Sequence, residues 1–118
     1  MINENNISDY LAFINLVERN EFHGLTGLYY EAVGDFYKKS GNMTNAEYSY
    51  IRAISNYAKI KWYSASYNVA VKLENDDIAF VYADLANLQE KERKRQENKK
   101  RVRQRMTGMI EKWHSFLK

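Results

Sequence analysis

The residue types that usually carry catalysis are sparse in this chain. His23 and His114 are its two histidines. They lie far apart, and neither stands at a spacing that would let it share a metal with a second ligand. With no cysteine there is no thiolate nucleophile, no thiolate metal site and no disulfide framework. The glycines at 24, 27, 34, 41 and 108 form no phosphate-cradling loop. Asp76 and Asp77 look like half of a metal site, but Asn75 before them makes the run read better as the cap of a following helix. His23 is expected in the link between the first two helices and His114 on the flank of the last. No catalytic residue, metal or cofactor is expected, and an enzyme is not the reading these residues favour.

Charge is the next chemistry to weigh. Residues 1–89 carry a net charge of −4, residues 90–105 a net of +6, and the rest +1. The basic stretch includes Lys99, Lys100, Arg101 and Arg103, whose spacing suits phosphate contacts on nucleic acid. The competing reading is a solvated helix kept straight and soluble by its lysines and arginines, because glutamates are interleaved among them. No zinc-finger, RNP or glycine-rich motif marks a specific nucleic-acid reader.

Those charges must ride on some element, and the pattern names it. From Ile78 apolar residues recur in alternating steps of three and four through Val81, Leu85 and Leu88, then again at Val102, Met106, Met109, Trp113 and Phe116. Glu92, Arg95 and Lys99 hold the same positions between them. This is a heptad seam with apolar ends and a polar middle. Nothing from Asp77 to Thr107 breaks a helix, Gly108 is the weak point, and a helix of about 40 residues would be roughly 60 Å long. The apolar residues from Val102 to Phe116 need cover. A fold-back across a break near Asn98, a second copy of the chain or another protein would each supply it.

The other organised region runs from Tyr30 to Ala53. Tyr30, Val33, Gly34 and Tyr37 form one helical stripe; Ala46, Tyr50 and Ala53 form another. Gly41 and Asn42 between them suit a helix end and tight turn, with Thr44 or Asn45 placed to cap the second helix. An antiparallel hairpin follows. Small residues mark where the helices touch, and tyrosines fill the space between.

This set of residues resembles the tetratricopeptide repeat, over one repeat from about Gly27 to Ile60. The repeat's closing proline is missing, since Ala58 stands there. Displaced by 33 residues the pattern recurs weakly: Trp62, Tyr63, Ala65, Lys72, Ala79 and Ala86 match, but Tyr67 replaces Gly34, which puts close packing of that hairpin in doubt. Upstream, Ala12 and Leu16 align with Ala46 and Tyr50, as if Ile7 to Asn20 were a lone second helix.

The resemblance implies antiparallel helical hairpins and a groove that binds a peptide or partner segment. The groove positions it carries over are Glu31, Asp35 and Lys38 on one helix and Ser64, Asn68 and Lys72 on the next. The last three also lie at steps of four, on one face. A clamp for a terminal carboxylate is not supported, because only Asn68, Lys72 and Lys38 could contribute.

Composition fits this reading. A chain of 118 residues, 45% hydrophobic and 14% aromatic, can build one core but not two. No basic segment with an apolar run opens the sequence, and no stretch approaches the roughly 20 apolar residues of a membrane span. Most of the ten tyrosines are expected at the core or its rim.

The expected architecture is all-α, three to five helices, with a repeat-like body over 1–89 and a basic, amphipathic helix over 90–118. The expected role is a cytoplasmic, non-enzymatic interaction module acting as adaptor, chaperone or regulatory subunit on a protein or peptide partner. A homo-oligomer built by the seam and a nucleic-acid-associated factor are the alternatives, and no membrane role is expected.

Overall fold

A computed structural model of the chain describes residues 1–117. Among them are five α-helices and no strand: α1 (Ile7–Arg19), α2 (His23–Lys39), α3 (Met43–Lys59), α4 (Tyr63–Lys72) and α5 (Asp76–Leu117). No helix among the described residues is long and apolar enough to cross a membrane. The chain divides into two units, residues 1–86 and the stretch from Asn87 onward.

The links between helices share one design. Glu21, Gly41, Lys61 and Glu74 all adopt positive φ, between 58° and 83°. The following N–H groups, of Phe22, Asn42, Trp62 and Asn75, reach back to the carbonyls of Val17, Tyr37, Tyr57 and Ala70. These are four Schellman caps, which satisfy carbonyls left over at each helix end. Gly41 carried the expected glycine signal, whereas Glu21, Lys61 and Glu74 take the left-handed conformation without one. Asn42, not Thr44 or Asn45, caps α3, its side-chain oxygen accepting from the Asn45 N–H at 3.2 Å. Asn75 caps α5 as expected, accepting from the Ile78 N–H at 3.0 Å.

The body is organised around the α2–α3 hairpin. Val33, Ala46 and Ala53 are fully buried and Tyr50 and Tyr57 nearly so. Gly34 lies against the ring of Tyr50, where a Cβ would come within 2.6 Å of it; Gly27 lies against the ring of Tyr57, where a Cβ would come within 2.7 Å. Seven residues along α2 therefore answer to seven residues back along α3, the register of an antiparallel pair whose axes approach closely. One turn earlier, Gly24 faces Trp62 and Ile60. Gly34 was legible in the sequence as a contact residue; Gly24 and Gly27 complete its stripe.

Close approaches are α2 with α3, α3 with α4 and α1 with α2. The opening turns of α5 add Ile78, Ala79 and Tyr82 to the core through side chains. Tyr63 stacks on Tyr82 with ring centres 6.2 Å apart, while Trp62 turns the other way and stacks on Tyr57 at 6.1 Å. Tyr67, which stands where α2 has Gly34, is exposed. His23 is the first residue of α2 rather than part of a link, with its Nδ1 3.3 Å from the side-chain oxygen of Asn56.

Candidate partner-binding site

The α2–α3 packing also fixes a set of charges. Because Tyr50 and Tyr57 lie flat under glycines, their hydroxyls emerge at the edge of the hairpin beside acidic residues of α2. The Tyr50 hydroxyl donates to Asp35 at 2.6 Å and the Tyr57 hydroxyl to Glu31 at 2.8 Å. Lys72, in the last turn of α4, then donates to both carboxylates, at 2.7 Å to Glu31 and 3.0 Å to Asp35. Lys38 reaches the Lys72 carbonyl at 2.8 Å and stands 4.0 Å from Glu74. Four of the six predicted groove residues thus form one cluster. Ser64 and Asn68 are exposed on α4.

Exposure decides what this cluster can do. The Glu31 side chain is 23% exposed, Lys72 38% and Asp35 48%. An ion pair this open to water contributes little stability alone. Here each carboxylate also accepts from a hydroxyl whose ring is buried, so the charges are held in place and not left to sample rotamers. Burial, and then the hydrogen bonds to Asp35 and Glu31, push both hydroxyls well above the ordinary tyrosine value. Burial opposes the Lys72 ammonium, but Glu31 and Asp35 outweigh it and raise its pKa. The acidic strip expected on α2 and the basic residue expected on α4 meet each other.

A second tyrosine–carboxylate–cation cluster, missed in the sequence, joins α1, α2 and α3. The Tyr30 hydroxyl donates to Glu18 at 3.1 Å, Arg52 forms an ion pair with Glu18, and the Arg52 guanidinium sits 5.7 Å from the centre of the Tyr30 ring. Its detectable signal was spacing: Glu18 and Arg52 are 34 residues apart, as are Lys38 and Lys72. Two apolar recesses also went unread. One, about 550 Å³, lies between α1, α2 and the N-terminal segment beside Tyr10, Leu28 and Phe36. The other, about 730 Å³, lies between α3 and the first turns of α5 beside Ile51, Ala58, Ile78 and Val81.

The stretch from Asn87 to Leu117 is built differently. It is helical throughout, so the break near Asn98 does not occur and Gly108 is accommodated within α5. The seam residues Val102, Met106, Met109, Trp113 and Phe116 are between 55% and 81% exposed. Trp113 and Phe116 stack with centres 6.1 Å apart. Glu90 and Glu97 pair with Arg93, and Glu92 with Arg95, one turn apart along the helix. Lys99, Lys100, Arg101 and Arg103 are exposed, and no ion pair involves them among the described residues. His114 is exposed as well, and no group of three potential metal ligands occurs among the described residues. Comparison with protein-family models, with curated proteins and with solved structures finds no match for this chain.

Proposed function

We propose that the protein is a non-enzymatic interaction module of tetratricopeptide-repeat type, binding a peptide or partner segment across α2 and α4 as an adaptor, chaperone or regulatory subunit. The repeat reading draws support from the glycine-on-tyrosine packing of α2 against α3 and from two side-chain contacts that each join residues 34 apart. The observation that carries the binding reading is the pinned strip of Glu31, Asp35 and Lys72 beside exposed Ser64 and Asn68. Charges already ordered by buried tyrosines lose little entropy when a ligand arrives. Such a strip selects an extended segment through its backbone and through a cation near Asp35.

Selection of displayed peptides on the intact protein, followed by titration of the enriched sequences, tests this. The Ser64→Ala, Asn68→Ala, Lys72→Ala triple variant should keep its circular-dichroism spectrum and lose those peptides. Enriched peptides that bind the folded triple variant as tightly as the parent would move the site elsewhere.

A second reading, self-association through the seam, is favoured by the exposure of Met109 at 70% and Phe116 at 81% on one helical face. Apolar side chains of that size gain roughly 1.5 to 3 kcal/mol each on full burial.

A further inference from the structure

The seam on α5 is long enough, and its charges are ordered enough, to specify how two copies would meet. We propose that two copies pair antiparallel along α5, in the register that sets Glu92 of one copy opposite Arg95 of the other. This rests on the self-association reading and goes beyond it by fixing direction and register.

The polar middle of the seam decides direction. In a parallel, in-register pair each seam residue faces its own copy, so Glu92 meets Glu92, Arg95 meets Arg95 and Lys99 meets Lys99. Three successive like-charge layers would oppose that dimer. Antiparallel helices place an a residue opposite a d residue, and the seam assigns Glu92 to a and Arg95 to d. Setting these two opposite each other gives two symmetry-related Glu92–Arg95 layers. The ion pair already present within each chain would then become part of a four-charge cluster.

The same register sets the seam from Ile78 to Met109 without further adjustment, and leaves Trp113 and Phe116 beyond the overlap. Lys99 falls opposite Leu88, whose surface its methylene stem can cover while the ammonium reaches water. Val102 falls opposite Leu85, Met106 opposite Val81 and Met109 opposite Ile78. The overlap from Ile78 to Met109 spans about 48 Å, between four and five heptads, enough to sustain a coiled coil. Moving the register by one heptad toward the C-terminus sets Arg95 against Lys99 and Glu92 against Val102; moving it the other way sets all three charged residues against apolar ones.

Two independent observations agree with this choice. The residues flanking the seam pair as opposites: Asp84 meets Arg105 and Asp77 meets Lys112, while Tyr82 meets Arg103. All four charged flanking residues Asp77, Asp84, Arg105 and Lys112 are exposed. The register also carries Met106 and Met109 of one copy alongside Val81 and Ile78 of the other, at the apolar recess between α3 and α5. Unbranched methionine side chains suit an irregular recess of that kind.

The absence of native cysteine makes the register directly readable. Sedimentation equilibrium of the full chain should give a dimer. The double variant Leu88→Cys, Lys99→Cys should then crosslink to a covalent dimer with a short bis-maleimide, and neither single variant should. Glu92→Arg should weaken self-association about tenfold, and Glu92→Arg with Arg95→Glu in the same chain should restore it. A monomer at every concentration would overturn the seam reading and the register together. A dimer in which Lys99→Cys alone crosslinks would mean parallel helices, and one in which the double variant fails to crosslink would mean another register; both overturn the proposal while self-association stands.

Discussion

Gly34 and Gly108 both sit inside long helices, for opposite physical reasons. At Gly34 a side chain has no room, because the ring of Tyr50 lies where a Cβ would be. At Gly108 nothing lies within 4 Å of that position. The α2–α3 hairpin is specified by close tertiary contact, and its glycines are required. The stretch of α5 from Asn87 is specified by helix propensity and one-turn ion pairs, and its glycine is a local weakness.

That contrast is open to test at one residue type. Gly34→Leu should destabilise the protein by about 3 kcal/mol, since a buried tyrosine ring must move or the helices must part. The loss should appear as a lower urea midpoint, and an unchanged midpoint would mean that the hairpin is not tightly closed.

Removing a tyrosine hydroxyl should cost less. Tyr57→Phe deletes the donor to Glu31 and should cost about 1.5 kcal/mol, the low end of the range for hydrogen bonds to charged groups because Glu31 is partly exposed. Its pH dependence has a definite sign. Folding holds the Tyr50 and Tyr57 protons more tightly than the unfolded chain does, whose tyrosines ionise near 10.0. Stability from this source is therefore complete below pH 10 and falls as pH rises above it. Unfolding curves across that range should steepen for the parent and flatten for the Tyr50→Phe, Tyr57→Phe variant; identical slopes would remove the linkage.

Gly108→Ala should go the other way, stabilising the surrounding helix by up to about 1 kcal/mol. Slower amide exchange between Arg105 and Lys112 would report it, with no change in the melting of the body. The smallest effect is expected at Glu21, whose φ is 58°. Glu21→Gly relieves a left-handed conformation at the expense of chain entropy, for a net gain of about 0.5 kcal/mol. A loss of stability would show that the Glu21 side chain contributes something the backbone geometry does not reveal.

The hairpin was legible in the sequence because its signals are local. Gly34, Ala46 and Ala53 recur at helical spacing, and Gly41 with Asn42 announces a turn. A long C-terminal helix was legible for the same reason, through alternating steps of three and four, while a break near Asn98 stayed open until the structure showed α5 continuous. What was not legible depends on distance along the chain. Lys72 meets Glu31 across 41 residues, and neither residue's neighbours betray the other. The face predicted as an open groove is therefore partly closed by its own charges. The left-handed residues Glu21, Lys61 and Glu74 escaped because the backbone hydrogen bonds that hold them carry no side-chain signature.

Each helix of the body finds its close partner in its immediate neighbour along the chain. Contacts of this kind close short loops and favour rapid folding, and they suit a chain that emerges from the ribosome one helix at a time. Once Trp62 has left the exit tunnel, both glycine–tyrosine contacts of the hairpin and the stacking of Trp62 on Tyr57 have all their parts. Lys72 emerges later, so the ionic strip across Glu31 and Asp35 is the last of these contacts to have all its parts.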